Sequence, residues 1–285
     1  MISALNRLPN GNIELTITIP WKRVSAAYEK ALNNLVKQTE IKGFRKGKAP
    51  KKLVEKKTGK EALYEEILKS LIPEVYLEAV KEQNLKPIIA PQLKVVSAQE
   101  GKDWQIQALT CELPEIKLGD YRGEIRKALA TEKIWTPGKD KKQKESKTPG
   151  EEKLGKIFKT LLETCQVRIP EILIQDEVNR MLSRLIDQTA RLGLTVDQYL
   201  VSQKKSAEQL RAEYRQQAEE LLKLEFILSA IADEEKIQVS DQEAEKLIEA
   251  VPDDQTKKAF QTPEQKLYLR HLLRKRRVID NLSSL

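Results

Sequence analysis

The chain has 285 residues, of which 33% are charged and 5% aromatic, and its formal net charge at pH 7 is +8. This length suits two or three domains, and no apolar run approaches the roughly 18 residues needed to cross a bilayer, so we expect no membrane partner. Residues 1–150 hold 29 basic and 19 acidic side chains, whereas residues 151–285 hold 22 and 24. The basic half favours a polyanion as a partner, although an ordinary solvated lysine-rich face gives the same count.

The first 114 residues predict an α+β domain, with a small antiparallel sheet and helices on one side. Apolar residues alternate from Ile13 to Ile19, which is typical of a half-buried strand. Helical spacing follows over residues 21–38. Two further strands are expected over residues 88–96 and 104–113.

Two more helices are expected in the same domain. Pro50 suits the first turn of a short helix that Gly59 ends. Residues 61–84 carry apolar side chains at helical spacing, and Pro73 within this stretch should kink or divide the helix.

Residues 41–50 join the first two of these helices and read I-K-G-F-R-K-G-K-A-P. Glycines permit the tightly bent backbone of a protruding loop, and cations surround the single aromatic ring. Leaving a Phe side chain in water forgoes roughly 1.5–3 kcal/mol of burial, so a partner that supplies a pocket would explain the arrangement. The alternative is a solvated basic turn whose ring folds back onto its own domain.

This loop closely resembles the ribosome-docking loop of bacterial trigger factor, whose pattern is G-F-R-x-G-K-x-P. The resemblance implies contact with the large ribosomal subunit, protein and RNA, beside the peptide exit tunnel, with Phe44, Arg45 and Lys46 at the tip. The ribosome-binding candidates are Gly43, Phe44, Arg45, Lys46, Gly47 and Lys48.

Residues 115–150 are expected to form a connector and a charged, flexible linker. Residues 113–121 resemble the connector that leaves the docking domain of trigger factor, after which most members carry a prolyl isomerase domain of the FK506-binding type. Residues 125–150 are mostly Lys, Glu, Thr, Pro and Gly, and a segment below about 40 residues rarely folds alone. We therefore expect that the isomerase domain is absent and that the protein is not an enzyme.

Residues 151–285 predict a mainly α-helical C-terminal domain, so that the whole is an elongated multi-domain chain. Capping-box spacing occurs at Thr195, Ser206, Ser240 and Thr262, each followed three residues later by Gln or Glu. The I-P-E entry at residues 169–171 and the stretch 206–219 resemble the helical domain of trigger factor, which implies a nascent-chain-binding chaperone domain. Sequence cannot separate exposed apolar positions from core positions, so no substrate-binding residue is named.

Catalytic and cofactor chemistry is not predicted. The single histidine, His271, lies in a basic helix end, and Cys111 and Cys165 lack metal-ligand spacing. No phosphate-binding loop of the G-x-x-x-x-G-K-[ST] type is present, so we expect neither a cofactor nor ATP dependence. The basic run at residues 270–277 favours an interaction with a helix C-terminus over a second RNA contact.

The sequence thus predicts an ATP-independent chaperone that docks on the ribosome and shields nascent or unfolded polypeptides. A secretory signal is not evident, which favours the bacterial cytoplasm. The alternatives are a general RNA-binding protein, a free holdase and a residual peptidyl-prolyl isomerase. A weak homodimer is a further partner to test.

Overall fold

A computed structural model describes residues 2–38, 44–45, 49–130, 149–250, 252–253, 257 and 260–285. The chain divides into two compact units. The first unit comprises Met1–Leu113 and Pro170–Leu173, and the second comprises Pro114–Ile169 and Ile174–Leu285. The predicted fold class, a small antiparallel sheet with helices followed by a mainly helical part, is confirmed.

A four-stranded antiparallel sheet forms the base of the first unit. Its strands are β1 (Ile2–Arg7), β2 (Ile13–Ile19), β3 (Gln92–Ser97) and β4 (Trp104–Thr110), in the order β1-β2-β4-β3. The central strands β2 and β4 alternate buried and half-buried side chains, as their period-two pattern predicts. Strand β1 was not predicted, because an edge strand with mostly exposed side chains lacks that pattern. Strand β3 begins at Gln92, later than the expected residue 88.

Two of three helices cover one face of this sheet, and the third packs against those two. The three helices are α1 (Trp21–Gln38), α2 (Lys51–Thr58) and α3 (Lys60–Glu82). Aliphatic residues of α1 and α3 pack with those of β2 and β4 in a single core, in which Ile17, Ile67 and Ile106 are fully buried. Pro73 lies inside α3 without dividing it. Burial of Ile72 and Val75 on either side of the proline outweighs the one hydrogen bond that it removes.

The turn between β1 and β2 receives the short segment Pro170–Leu173. The backbone N–H of Ile172 donates to the Asn12 side-chain oxygen at 2.9 Å, and the N–H of Glu171 donates to the Asn10 carbonyl at 3.2 Å. Gly11 has a φ of +81°, and a Cβ there would lie 3.2 Å from the Pro170 Cα. Only glycine meets both requirements without strain.

The second unit is helical apart from one short ladder. Its strands β5 (Ile116–Lys117) and β6 (Gln166–Val167) pair antiparallel. Its helices are α4 (Tyr121–Ala130), α5 (Pro149–Thr164), α6 (Glu171–Arg191), α7 (Val196–Gln203), α8 (Ala207–Glu234), α9 (Asp241–Glu249) and α10 (Pro263–Ser283). The main core joins α4, α5, α8 and α10.

The helix starts follow the predicted caps. The side-chain hydroxyls of Thr195, Ser206 and Ser240 each accept a hydrogen bond from the backbone N–H three residues ahead. The side-chain oxygen of the Gln or Glu at that position accepts a hydrogen bond from the backbone N–H of the capping residue. Thr262 accepts the corresponding bond from Gln265, with Pro263 in the first turn. These local signals fix where α7 to α10 begin.

The connector differs from the expectation of a flexible linker over residues 115–150. Residues 116–117 form β5, and α4 buries Tyr121 and Ile125 in the core of the second unit. The Cys165 thiol also contacts the Leu118 carbonyl at 3.2 Å. Composition indicated a linker only over residues 125–150, and α4 extends into that range as far as Ala130, with Ile125 buried. Residues 131–148 lie outside the described residues.

Glu235 joins α4 to the end of α8 and to α10. One carboxylate oxygen accepts hydrogen bonds from the Tyr121 hydroxyl at 3.1 Å and from the Arg122 guanidinium at 2.7 Å. The other accepts from the Asn281 amide at 3.4 Å. Burial acts to raise the pKa of Glu235, but these three bonds outweigh it and lower the pKa below its usual value.

Replacing this carboxylate, Glu235→Gln, should lower the free energy of unfolding at pH 7 by about 1–2 kcal/mol, because hydrogen bonds to a charged acceptor are weakened. The folded pKa lies below the unfolded one, so the charge stabilises the fold at neutral pH, and this contribution is lost as the pH falls through the folded pKa. Urea unfolding at pH 7 and near pH 3 should show the difference shrinking in acid. The neighbouring exposed Glu234→Gln is the control, and a gap that does not change with pH would contradict the assignment.

Candidate docking loop and apolar helical surface

The tip of the loop between α1 and α2 carries an exposed aromatic ring. Phe44 is 43% exposed and lies outside the core cluster of the first unit. Arg45 beside it is also exposed, and no carboxylate among the described residues pairs with it. The other candidates, Gly43, Lys46, Gly47 and Lys48, lie outside the described residues. An unburied ring next to an unpaired guanidinium can contact an apolar pocket and an anion at the same time.

The helix after the loop is held against α1 by polar contacts. The Tyr28 hydroxyl donates to the Glu55 carboxylate at 2.6 Å, and the Lys51 ammonium donates to Glu29 at 2.8 Å. Each bond joins a residue of α1 to a residue of α2. The start of α2 is therefore fixed relative to the helix that precedes the loop.

Buried apolar residues reinforce this attachment. Ala49, at the end of the loop, is 6% exposed, and Val54 in α2 is fully buried. Leu53, next to Val54, is half-exposed, because adjacent residues of a helix face different sides. Buried apolar side chains thus add to the polar contacts that hold α2, the helix that follows the loop.

A second exposed surface lies on α6, α7 and the turn between them. A small cluster of Leu185, Leu200 and Leu210 is buried there together with parts of neighbouring apolar side chains. Large apolar residues of the same helices and turn remain in solvent, with Leu192 74% and Val201 78% exposed. The exposed set is Ile186, Leu192, Leu194 and Val201. Exposed aliphatic side chains can hold apolar polypeptide segments, since apolar attraction needs no particular geometry.

Adjacent apolar pairs were the overlooked signal for this surface. Leu185 is buried and Ile186 is exposed, and Leu200 is buried and Val201 is exposed. Neighbouring residues of a helix point in different directions. An adjacent apolar pair can therefore be divided between core and solvent, and the packing decides whether it is divided and which member is buried.

Nothing in the described part of the chain resembles a catalytic or metal centre. No group of three His, Cys, Asp or Glu side chains there could hold a metal ion. Burial raises the pKa of the Cys111 thiol and of the Cys165 thiol to about 11, so neither is a ready nucleophile at neutral pH. No described helix combines the length and the hydropathy that a membrane span requires.

Comparison with known proteins relates both parts of the chain to a single family. The family described as "Bacterial trigger factor protein (TF)" matches residues 1–135, and its C-terminal part matches residues 138–284. The trigger factors of Staphylococcus aureus strains JH9 and Newman are each 42% identical over 114 residues. That stretch covers 40% of this chain and 26% of each relative, so the match spans about a quarter of the relatives' length.

The fold is shared as well. A solved structure, described by the words "Promiscuous Substrate Recognition in Folding and Assembly Activities of the Trigger Factor Chaperone", aligns over 100% of this chain and 99% of its own. The TM-score is 0.69 at 17% sequence identity. An α+β unit followed by a helical unit is thus a known arrangement.

The chain belongs to the bacterial trigger factor family. Only residues 136 and 137 lie between the two matched segments. This member is therefore a shortened form that lacks the isomerase domain inserted at this point in most of the family.

Proposed function

We propose that this protein is an ATP-independent chaperone that docks on the large ribosomal subunit beside the peptide exit tunnel and shields nascent or unfolded polypeptides. The observation that carries the proposal is the exposed Phe44 ring beside the exposed Arg45, which has no ion-pair partner among the described residues, on a loop of the family's docking pattern. A location in the cytoplasm follows from this role. The unit formed by residues 1–113 would dock, and the helical unit would hold clients.

Docking would combine two kinds of contact. The Phe44 ring would enter an apolar pocket of a ribosomal protein, which recovers about 1.5–3 kcal/mol that exposure forgoes. Arg45 and Lys46 would meet a carboxylate or RNA phosphates, and the planar guanidinium can do so through two hydrogen bonds. The ring supplies specificity for a protein pocket, whereas the cations make binding sensitive to salt.

Client binding would use the apolar surface of α6 and α7. Its exposed members are aliphatic rather than aromatic, so they offer contact area without stacking or hydrogen-bond selection. The solved relative is described as recognising substrates promiscuously in folding and assembly. An aliphatic surface that does not read sequence supports the same behaviour for this chain.

Replacing Phe44, Arg45 and Lys46 together with alanine should reduce co-sedimentation with purified ribosomes by about tenfold or more, because both contacts are lost. The matched control is Leu77→Ala, Lys69→Ala and Lys81→Ala, which removes one exposed apolar side chain and two cations from α3. Wild-type binding should also weaken as salt rises. Sedimentation of the triple variant at the control's level would overturn the site, and equal affinity for naked RNA would favour a general RNA-binding protein.

Client binding is tested by Leu192→Ser with Val201→Ser. Suppression of the aggregation of a heat-unfolded client should require about tenfold more of this variant, since two exposed aliphatic contacts are removed. Leu247→Ser with Leu272→Ser makes the same chemical change at exposed positions of α9 and α10. An equal loss of aggregation suppression in both variants would show that clients do not bind the α6–α7 surface in preference to other exposed apolar positions. Ribosome co-sedimentation should stay unchanged in both variants.

The third expectation concerns catalysis. Uncatalysed X-Pro isomerisation takes tens to hundreds of seconds, and the wild-type chain should not shorten it in a protease-coupled peptide assay. A prolyl isomerase of the FK506-binding type serves as the positive control. Acceleration that scales with the concentration of this chain would show a residual isomerase and refute a purely holding role.

A further inference from the structure

A pocket of about 390 Å³ lies on the first unit, and its lining includes none of the residues assigned to docking. Its apolar walls are the half-buried rings of Trp21, Tyr28 and Tyr64. Its polar lining includes the carboxylates of Glu29, Glu55 and Glu100. In a chain that is only 5% aromatic, three accessible rings around one cavity need a physical explanation.

The rings are held in place by the core beneath them. Tyr64 packs edge-on against the fully buried Trp104, with ring centroids 5.6 Å apart. Tyr28 lies next to Tyr64 at 6.4 Å with the planes tilted by 57°. Both tyrosines also contact the main core of the unit. The pocket is therefore preformed, and its aromatic faces have fixed directions.

The Glu55 carboxylate in the pocket accepts a hydrogen bond from a neutral hydroxyl. Glu29 is bonded to Lys51, but the half-buried Glu55 carboxylate has the Tyr28 hydroxyl as its one side-chain partner in the described part of the chain. Burial, followed by the bond to Glu55, raises the pKa of Tyr28, so its hydroxyl remains a donor. A carboxylate that accepts one neutral hydrogen bond still has oxygen lone pairs for a cation.

We propose that this pocket binds an arginine side chain presented by a basic polypeptide. A guanidinium stacks on Tyr and Trp faces and donates two parallel hydrogen bonds to a carboxylate, which matches rings beside Glu55. The carboxylates repel phosphate, so the pocket favours a cationic ligand. The basic docking loop, in contrast, is expected to meet an anionic partner. A lysine ammonium lacks the planar face that makes use of the aromatic walls.

Arginine is also favoured over a bare metal ion. No group of three potential ligands occurs among the described residues, and aromatic rings are not ligands for hard cations. The inference does not depend on ribosome docking, because none of residues 43–48 contributes to it. Failure of one would leave the other standing.

The direct test is a titration of the full chain with the peptide acetyl-Gly-Arg-Gly-amide, followed by NMR at the Trp21 indole N–H. The matched probe replaces arginine by citrulline, which keeps the shape and removes the charge. We expect a saturable shift of the Trp21 signal with arginine and about tenfold weaker binding with citrulline. No shift with arginine, or equal shifts with both peptides, would overturn the proposal.

Two variants separate a binding role from a structural one. Glu55→Gln removes the charge, whereas Tyr28→Phe removes only the hydroxyl that competes for it. If the pocket binds arginine, Glu55→Gln weakens binding about tenfold and Tyr28→Phe leaves it equal or tighter. Glu14→Gln, on β2 outside the pocket, is the charge-matched control and should bind like wild type. Equal loss in Glu55→Gln and Tyr28→Phe would show that only their mutual hydrogen bond matters, and the proposal would fail.

Discussion

Packing of the helices α1 and α3 on one face of a four-stranded sheet is the constraint on which the first unit depends. The alternating residues of β2 and β4 fill the inner face, and α1 and α3 cover it. Because Val54 and Ala49 are buried as well, α2 is part of the same packed body. The Phe44 ring then remains exposed while its flanking helices are fixed.

In the second unit the connector is packed into the helical core. The connector pairs through β5 and β6, and α4 contributes Tyr121 and Ile125 to the helical core. Glu235 adds hydrogen bonds from two residues of α4 and one of α10. These contacts order the connector up to Ala130, so it is part of the helical body and not a free tether.

Three surfaces of different chemistry remain available for partners. The loop combines an apolar ring with a cation, α6 and α7 expose aliphatic side chains, and the pocket at Glu55 combines rings with carboxylates. Each would select a different class of polypeptide or nucleic-acid group. A chaperone that must anchor specifically and hold clients loosely needs such a separation, because a single apolar surface cannot do both.

Long periodic elements and helix caps could be predicted from the amino-acid sequence, because they depend on residues that are only two to four positions apart. The strand Ile13–Ile19, the helix Trp21–Gln38 and the cap at Ser206 are of this kind. Partners distant in the chain were not readable. Strand β1 exists because β2 pairs with it, the burial of Leu200 rather than Val201 follows from packing, and Tyr64 meets Tyr28 only in the folded unit. Such choices depend on which surfaces the whole chain buries together, and local periodicity does not contain that information.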